Sequence, residues 1–325
     1  MEQRELDQNA AAPAEGDTTV KRKRKTRNLV LRAVSALAAI SLIYGSLRWD
    51  VTHSSGWGWA CLLALVSVFC LREFYRLAAD CEIQPFKVLG IICGPLWILA
   101  QEWELSGGSV RYLGEVSPAW IVLLFSVTGS MLLQLTRRSN DNALVNVAAT
   151  MLGIIYCAIL PGLSSHFRHM QFEAGGWPMH GIEFAIVCIF VAKVSDVGAL
   201  LTGSRWGKRK LIPRLSPGKT WEGAIGGLIF SILLLQFMVF TAPWMALARL
   251  GWAGLAFLSF LLAASGLAGD LVESAFKRNS RRKDAGSSIP GFGGILDLTD
   301  SLMVASPIMY FFLVICGAEY VKSTV

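Results

Sequence analysis

The sequence predicts an all-α polytopic integral membrane protein with about nine transmembrane helices and a cytosolic N-terminus. Three observations predict it. Of 325 residues, 54% are hydrophobic and 16% charged, with a mean hydropathy of +0.50; a soluble domain of that length needs more charge to cover its surface. The apolar residues form continuous runs without period-two alternation, which selects helices as the elements that satisfy their own backbone in lipid. The basic residues gather on alternate loops, as the positive-inside rule requires of cytosolic ones.

The runs fall at 29–46, 57–71, 88–100, 120–135, 143–163, 182–201, 224–240, 252–268 and 302–316. The second, third and ninth are short for a hydrocarbon core about 30 Å thick, so the count holds to about one span. Lys21, Arg22, Lys23, Arg24, Lys25 and Arg27 precede the first run. Arg72, Arg76 and Lys87 follow the second, Arg137 and Arg138 the fourth, and a group from Arg205 to Lys219 the sixth. The odd loop at 101–118 leans acidic through Glu102, Glu104 and Glu115. The net charge of +7 is thereby explained by orientation and contact with anionic lipid, with no nucleic-acid partner expected.

Residues 1–28 read as a disordered basic tail and 29–325 as one membrane-embedded domain without linker or repeat. The first run lacks a clear cleavage site and reads as an uncleaved anchor. Six cysteines (Cys61, Cys70, Cys93, Cys157, Cys188 and Cys316) serve as small apolar residues, with no spacing for a disulfide or zinc. His166, His169 and His180 lie on an outer loop with no acidic partner in sequence, and a metal site there is disfavoured. The N-terminal runs carry little beyond packing residues, so chemistry is expected in the half from about 182 to 325.

Three segments there can carry it. Lys193, Ser195 and Asp196 interrupt an apolar run; a self-neutralising helical pair is the structural reading, but intramembrane charges are functional candidates by default. In Ser216-Pro217-Gly218-Lys219-Thr220, a Gly-Lys-Thr triplet resembles a phosphate loop but lacks that motif's first glycine and preceding strand. Ser216 is expected to cap a helix beginning at Pro217, with Lys219 and free N–H groups facing an anion; a capped helix start with a snorkelling lysine competes equally.

The third segment is 270–300. Asp270, Glu273, Ser274 and Lys277 share one helical face, and a plain Glu273–Lys277 pair leaves Asp270 unexplained. A glycine-rich turn follows, and then Asp297 and Asp300 open the ninth run, where acids also suit the helix dipole. Acids at Asp270, Asp297 and Asp300 beside cations at Lys219, Lys277, Arg278 and Lys283 match Mg²⁺-assisted chemistry at phosphorus.

The pattern Ser274-x-Phe276-Lys277-Arg278-x-x-x-x-Lys283-Asp284-x-Gly286-x-x-Ile289-Pro290-Gly291-x-Gly293-Gly294-Ile295-x-Asp297-x-Thr299-Asp300 resembles the signature of phosphatidate cytidylyltransferases, or CDP-diacylglycerol synthases. Ser195-Asp196-Val197-Gly198-Ala199 and the segment from Ser216 to Gly223 resemble that family's upstream motifs in the same order. Two positions depart: Phe292 stands where the family has histidine, and Leu298 where it has arginine. The resemblance implies transfer of CMP from CTP to phosphatidic acid, giving CDP-diacylglycerol and pyrophosphate. It implies Mg²⁺ on Asp270 and Asp297, supported by Asp196, Glu273 and Asp300, with K⁺ beside it and a homodimer as the assembly. Lys219, Lys277, Arg278 and Lys283 would hold phosphates, helped by Ser216, Ser274, Asp284 and the Gly293-Gly294 backbone; Asp270, Asp297, Lys219 and Lys277 are the catalytic candidates. Rival readings are a CTP-dependent lipid kinase, a cytidylyltransferase with another lipid acceptor and, more distantly, a transporter.

Overall fold

A computed structural model describes residues 15–53, 55–107, 116–137, 141–171, 181–243, 245–282, 284–286, 288–289, 293–317 and 319–320. Every apolar run folds as helix: α1 (Glu15–His53), α2 (Trp57–Asp80), α3 (Lys87–Leu105), α4 (Pro118–Leu135), α5 (Ala143–Ile154), α6 (Ile182–Trp206), α7 (Trp221–Thr241), α8 (Gly251–Asn279) and α9 (Ile295–Ile315). Among the described residues, seven helical segments are long and apolar enough to cross a membrane; α1 and α2 are helical but not among those seven. The protein is therefore an all-α polytopic membrane protein. Leu135, Leu144, Phe240 and Ile315 are among many large apolar side chains on its outside, far more than a soluble monomer exposes, and they suit a lipid solvent.

Where the sequence suggests a disordered tail, residues 15–28 are the first turns of α1. Lysine and arginine are good helix formers, and extending an existing helix avoids the cost of nucleation. α5 continues through a π turn, Ile155–Ile159, into Leu160–Gly162 and a 3₁₀ turn, Leu163–His169. His169 does have an acidic partner: its Nε2 lies 3.0 Å from Oε1 of the buried Glu102, brought from α3.

Glycines set the closest helix crossings. On α6 and α7, a Cβ at Gly227 would meet the carbonyl of Ser195, and one at Gly223 the carbonyl of Ala199. Small residues of this kind let two membrane helices approach backbone to backbone. Much of the glycine content in the 195–199 and 216–223 motifs thus builds the α6–α7 contact.

Two short antiparallel strand pairs, the second of them a hairpin, complete the chain. β1 (Met170–Gln171) pairs antiparallel with β4 (Glu319–Tyr320), and β2 (Lys210–Ile212) with β3 (Ser216–Thr220). The hairpin corrects the expected helix start at Pro217: Ser216 and Pro217 are extended. α7 begins at Trp221, with Thr220 as its cap, the Thr220 hydroxyl accepting from Gly223 N at 3.1 Å. A Ser-Pro pair signals a cap locally, but pairing with 210–212 wins. Glu222 then closes the hairpin by accepting from Lys208 N at 3.0 Å.

Candidate active site

The middle of α6, the hairpin leading into α7, the last third of α8 and the first turns of α9 meet around one acidic cluster. Gly269 makes it possible: a Cβ there would collide with the Asp300 carbonyl, so α9 crosses α8 at that point. The crossing sets Asp270, Glu273 and Asp300 together, with one carboxylate oxygen of each within 4.8 Å of the others. Glu273 and Asp300 are buried. Three buried or half-buried acids at this spacing repel one another unless cations compensate.

Three lysines do so. Lys219 Nζ lies 2.6 Å from Asp270 Oδ2, crossing from the hairpin to α8. Lys277 Nζ lies 2.9 Å from Glu273 Oε2 and 2.8 Å from Asp297 Oδ1. Lys193 Nζ reaches Asp300 Oδ1 at 3.4 Å and Asp196 Oδ2 at 3.7 Å, so it is more than the partner of its own helical neighbour. An ammonium has three donors, and each lysine can hold a carboxylate and still offer a proton to a phosphate oxygen.

The donor set fits Mg²⁺. It consists of hard carboxylate oxygens, and Glu273 Oε1 is buried with no hydrogen-bond partner among the described residues. An orphaned buried carboxylate oxygen is costly unless something binds it. Asp297 adjoins Glu273 but is not part of the trio, and it has both oxygens engaged. They accept from Lys277, from Gly294 N at 2.8 Å and from Ala285 N at 3.1 Å. Its carboxylate ties the glycine-rich loop to the first turn of α9, and Gly293, at φ +106°, makes the turn that lets it.

The remaining expected residues divide. Ser274 Oγ donates to Asp270 Oδ1 at 3.4 Å and so orients an acid. Arg278 donates to the carbonyls of Leu215 and Arg282, which fastens the hairpin to the end of α8. Asp284 is exposed on the loop and Leu298 half-buried on α9. Lys283 and Phe292 lie outside the described residues.

Two contributors escaped the sequence reading. Ser301 is fully buried; its Oγ bonds Asp300 Oδ1 at 3.1 Å and Asp196 Oδ2 at 3.3 Å, linking α9 to α6. Glu73, on α2, is buried against the far side of the glycine-rich loop. Ser301 follows Asp300 directly and could have been suspected from that; for Glu73 the sequence holds no such signal.

A cavity of about 740 Å³ opens over the cluster. Its floor is Lys193, Asp196, Lys219, Asp270, Glu273, Lys277, Asp297 and Asp300, and Ser216 stands at its rim. Its walls include Leu200, Ile225, Leu228, Phe260 and Leu267. Ser274, Arg278, Asp284, Gly293 and Gly294 do not line it. A charged floor beneath an apolar wall suits a molecule with a phosphate head and a hydrocarbon body.

Residues 30–316 match the cytidylyltransferase family. The chain belongs to that family. A phosphatidate cytidylyltransferase of Synechocystis sp. is 28% identical over 87% of this chain and 96% of its own length. One of Staphylococcus haemolyticus is 40% identical over 78% of this chain and 88% of its own length. One of Haemophilus influenzae is 40% identical over 42% of this chain, a stretch spanning 47% of the relative. The match takes in α2 to α9 entirely, including the N-terminal helices that are legible only by hydropathy.

Proposed function

We propose that this family member transfers CMP from CTP to phosphatidic acid, forming CDP-diacylglycerol and releasing pyrophosphate. The observation that carries it is the amphipathic cavity with three lysines and a carboxylate trio at its floor. Relatives named phosphatidate cytidylyltransferases support phosphatidic acid as the acceptor. The lipid phosphate is the nucleophile: one of its oxygens bonds the α-phosphorus of CTP while the bond from that phosphorus to the bridging oxygen of pyrophosphate breaks. A phosphate monoester is largely dianionic near neutral pH and needs little help from a base. The barrier lies in bringing anions together, and preorganised cations lower it.

Lys219 serves this purpose from the hairpin and Lys277 from α8. Lys193 neutralises Asp300 and Asp196 deeper in the floor. Asp270, Glu273 and Asp300 would hold Mg²⁺, with Asp196 and Asp297 in support. When bound, that ion neutralises triphosphate charge and assists the leaving pyrophosphate. Ser274 keeps Asp270 oriented, and the apolar walls exclude water that would otherwise compete for the α-phosphorus.

We further propose nine spans, with the N-terminus, the basic loops and the cavity mouth on the cytosolic side of the plasma membrane, where CTP is found. The alternation of basic loops supports this orientation. A homodimer and a K⁺ ion beside Mg²⁺ rest on the family resemblance. The test uses purified protein with CTP, phosphatidic acid and Mg²⁺. Label from the α-phosphate of CTP should appear in a lipid with the mass of CDP-diacylglycerol. Label from the γ-phosphate alone would make the protein a kinase, and no labelled lipid would overturn the reading.

A further inference from the structure

A buried acid on α2 reaches the site from the N-terminal half. Glu73 is 1% exposed. One of its carboxylate oxygens accepts from the Ser288 hydroxyl and the other from Leu296 N at 2.9 Å. The carboxylate therefore bridges the glycine-rich loop and the positive end of α9, where an acid is favoured by the free N–H groups. Gly286 and Gly294 are shaped to it: a Cβ at either would collide with the Glu73 carboxylate. These two glycines, part of a pattern that suggests close approach to phosphate, are in close approach to a carboxylate from another helix.

Neighbouring contacts hold α2 in register with that loop. Cys70 Sγ meets Thr299 Oγ1 on α9 at 3.4 Å. The Phe74 ring packs edge-on against Phe276 of α8, with centroids 5.6 Å apart. Nearly two turns further, at the end of α2, Asp80 pairs with Arg282. Glu73 does not line the cavity, so it does not touch substrate.

We infer that Glu73 is a positioning residue for the transfer reaction. It fixes the start of α9 from behind, and Asp297 fixes the same turn from the front through Gly294 and Ala285. Held between two carboxylates, α9 presents Asp297 to Lys277 and Asp300 to Asp270 and Lys193. Loss of supporting contacts to a site of this kind costs about 10–100-fold in activity or metal affinity. The inference rests on the proposed function for its kinetic consequence but not for its structural one.

The test compares wild type, Glu73→Gln, Ser288→Ala and the double variant by turnover, by Mg²⁺ half-saturation and by amide hydrogen exchange. Glu73→Gln is isosteric but turns an acceptor into a donor facing another donor. It should lower kcat at least tenfold, raise the Mg²⁺ half-saturation severalfold and speed exchange at 285–296, with exchange in α6 and α7 unchanged. Ser288→Ala should move each readout less and in the same direction. The double variant should lose no more than Glu73→Gln alone, because both changes break one contact. Wild-type exchange at 285–296 in Glu73→Gln would overturn the inference, whatever the turnover. A kcat loss with unaltered Mg²⁺ half-saturation and generally faster exchange would reduce Glu73 to a folding role and overturn it too. If wild type itself makes no CDP-diacylglycerol, the proposed function fails, and the exchange data still decide whether Glu73 holds the loop.

Discussion

Lys277 Nζ stands 2.8 Å from Asp297 Oδ1 and joins α8 to α9 at the point where the glycine-rich loop turns. The same ammonium is 2.9 Å from Glu273, which is 1% exposed. Removing a partner from a buried pair leaves an uncompensated charge, at a cost of about 3–5 kcal/mol. Lys277→Met should therefore lower the unfolding temperature in detergent and abolish CDP-diacylglycerol formation. Lys277→Arg keeps the charge with a planar, longer head, and should recover stability better than activity. Equal recovery of both would mean that Lys277 is only structural.

The carboxylates divide into two tasks, and metal titration separates them. Asp270 belongs to the trio within 4.8 Å, whereas Asp297 is committed to Lys277 and two backbone amides. Asp270→Asn should raise the Mg²⁺ concentration needed for half-maximal turnover by about tenfold or more while leaving the unfolding temperature near wild type. Asp297→Asn should abolish turnover and also cost about 1 kcal/mol, because it weakens a helix cap. Chelation should abolish wild-type turnover, and Mg²⁺ should restore it. An unchanged Mg²⁺ requirement in Asp270→Asn would remove Asp270 from the metal site.

The helices and the acids that meet were legible in the sequence to different depths. Continuous apolar runs report helices in lipid because no other open structure satisfies the backbone there. Asp270, Glu273 and Lys277 share a face by simple periodicity, and Asp300 joins them only because Gly269 lets α9 cross at that point. Ser216-Pro217 misled because a cap signal is local, while the hairpin to 210–212 is not. Glu73 was hidden for the same reason: beside Arg72 and Arg76 it reads as the wet end of a span, and its partner amide is 223 residues away.

Gly269 offers a test of that crossing. A Cβ at this position collides with the backbone of Asp300, which cannot swing aside as a side chain can. Gly269→Val should push α9 from α8 and separate Asp300 from Asp270, lowering activity about a hundredfold, the scale of a misplacement of about 1 Å. Gly218→Ala is the control, since nothing lies within 4 Å of a Cβ there. It should retain most activity. Comparable losses in both would refute the crossing as the cause.

The hairpin that carries Lys219 separates charge from placement. Lys219 pairs with Asp270 at 2.6 Å through a buried Nζ, but the side chains as a whole are 21% and 30% exposed, so Asp270 can regain water when the lysine is replaced and the loss of stability is small. Lys219→Met should lower turnover at least a hundredfold, the scale of losing one preorganised donor to a developing charge, with almost no change in unfolding temperature. Thr220→Ala leaves the lysine in place but removes the cap of α7, costing about 1 kcal/mol. It should lower the unfolding temperature and reduce turnover only modestly. If Thr220→Ala cost more activity than Lys219→Met, the hairpin would act by fastening α7 and the lysine would have no part in transfer.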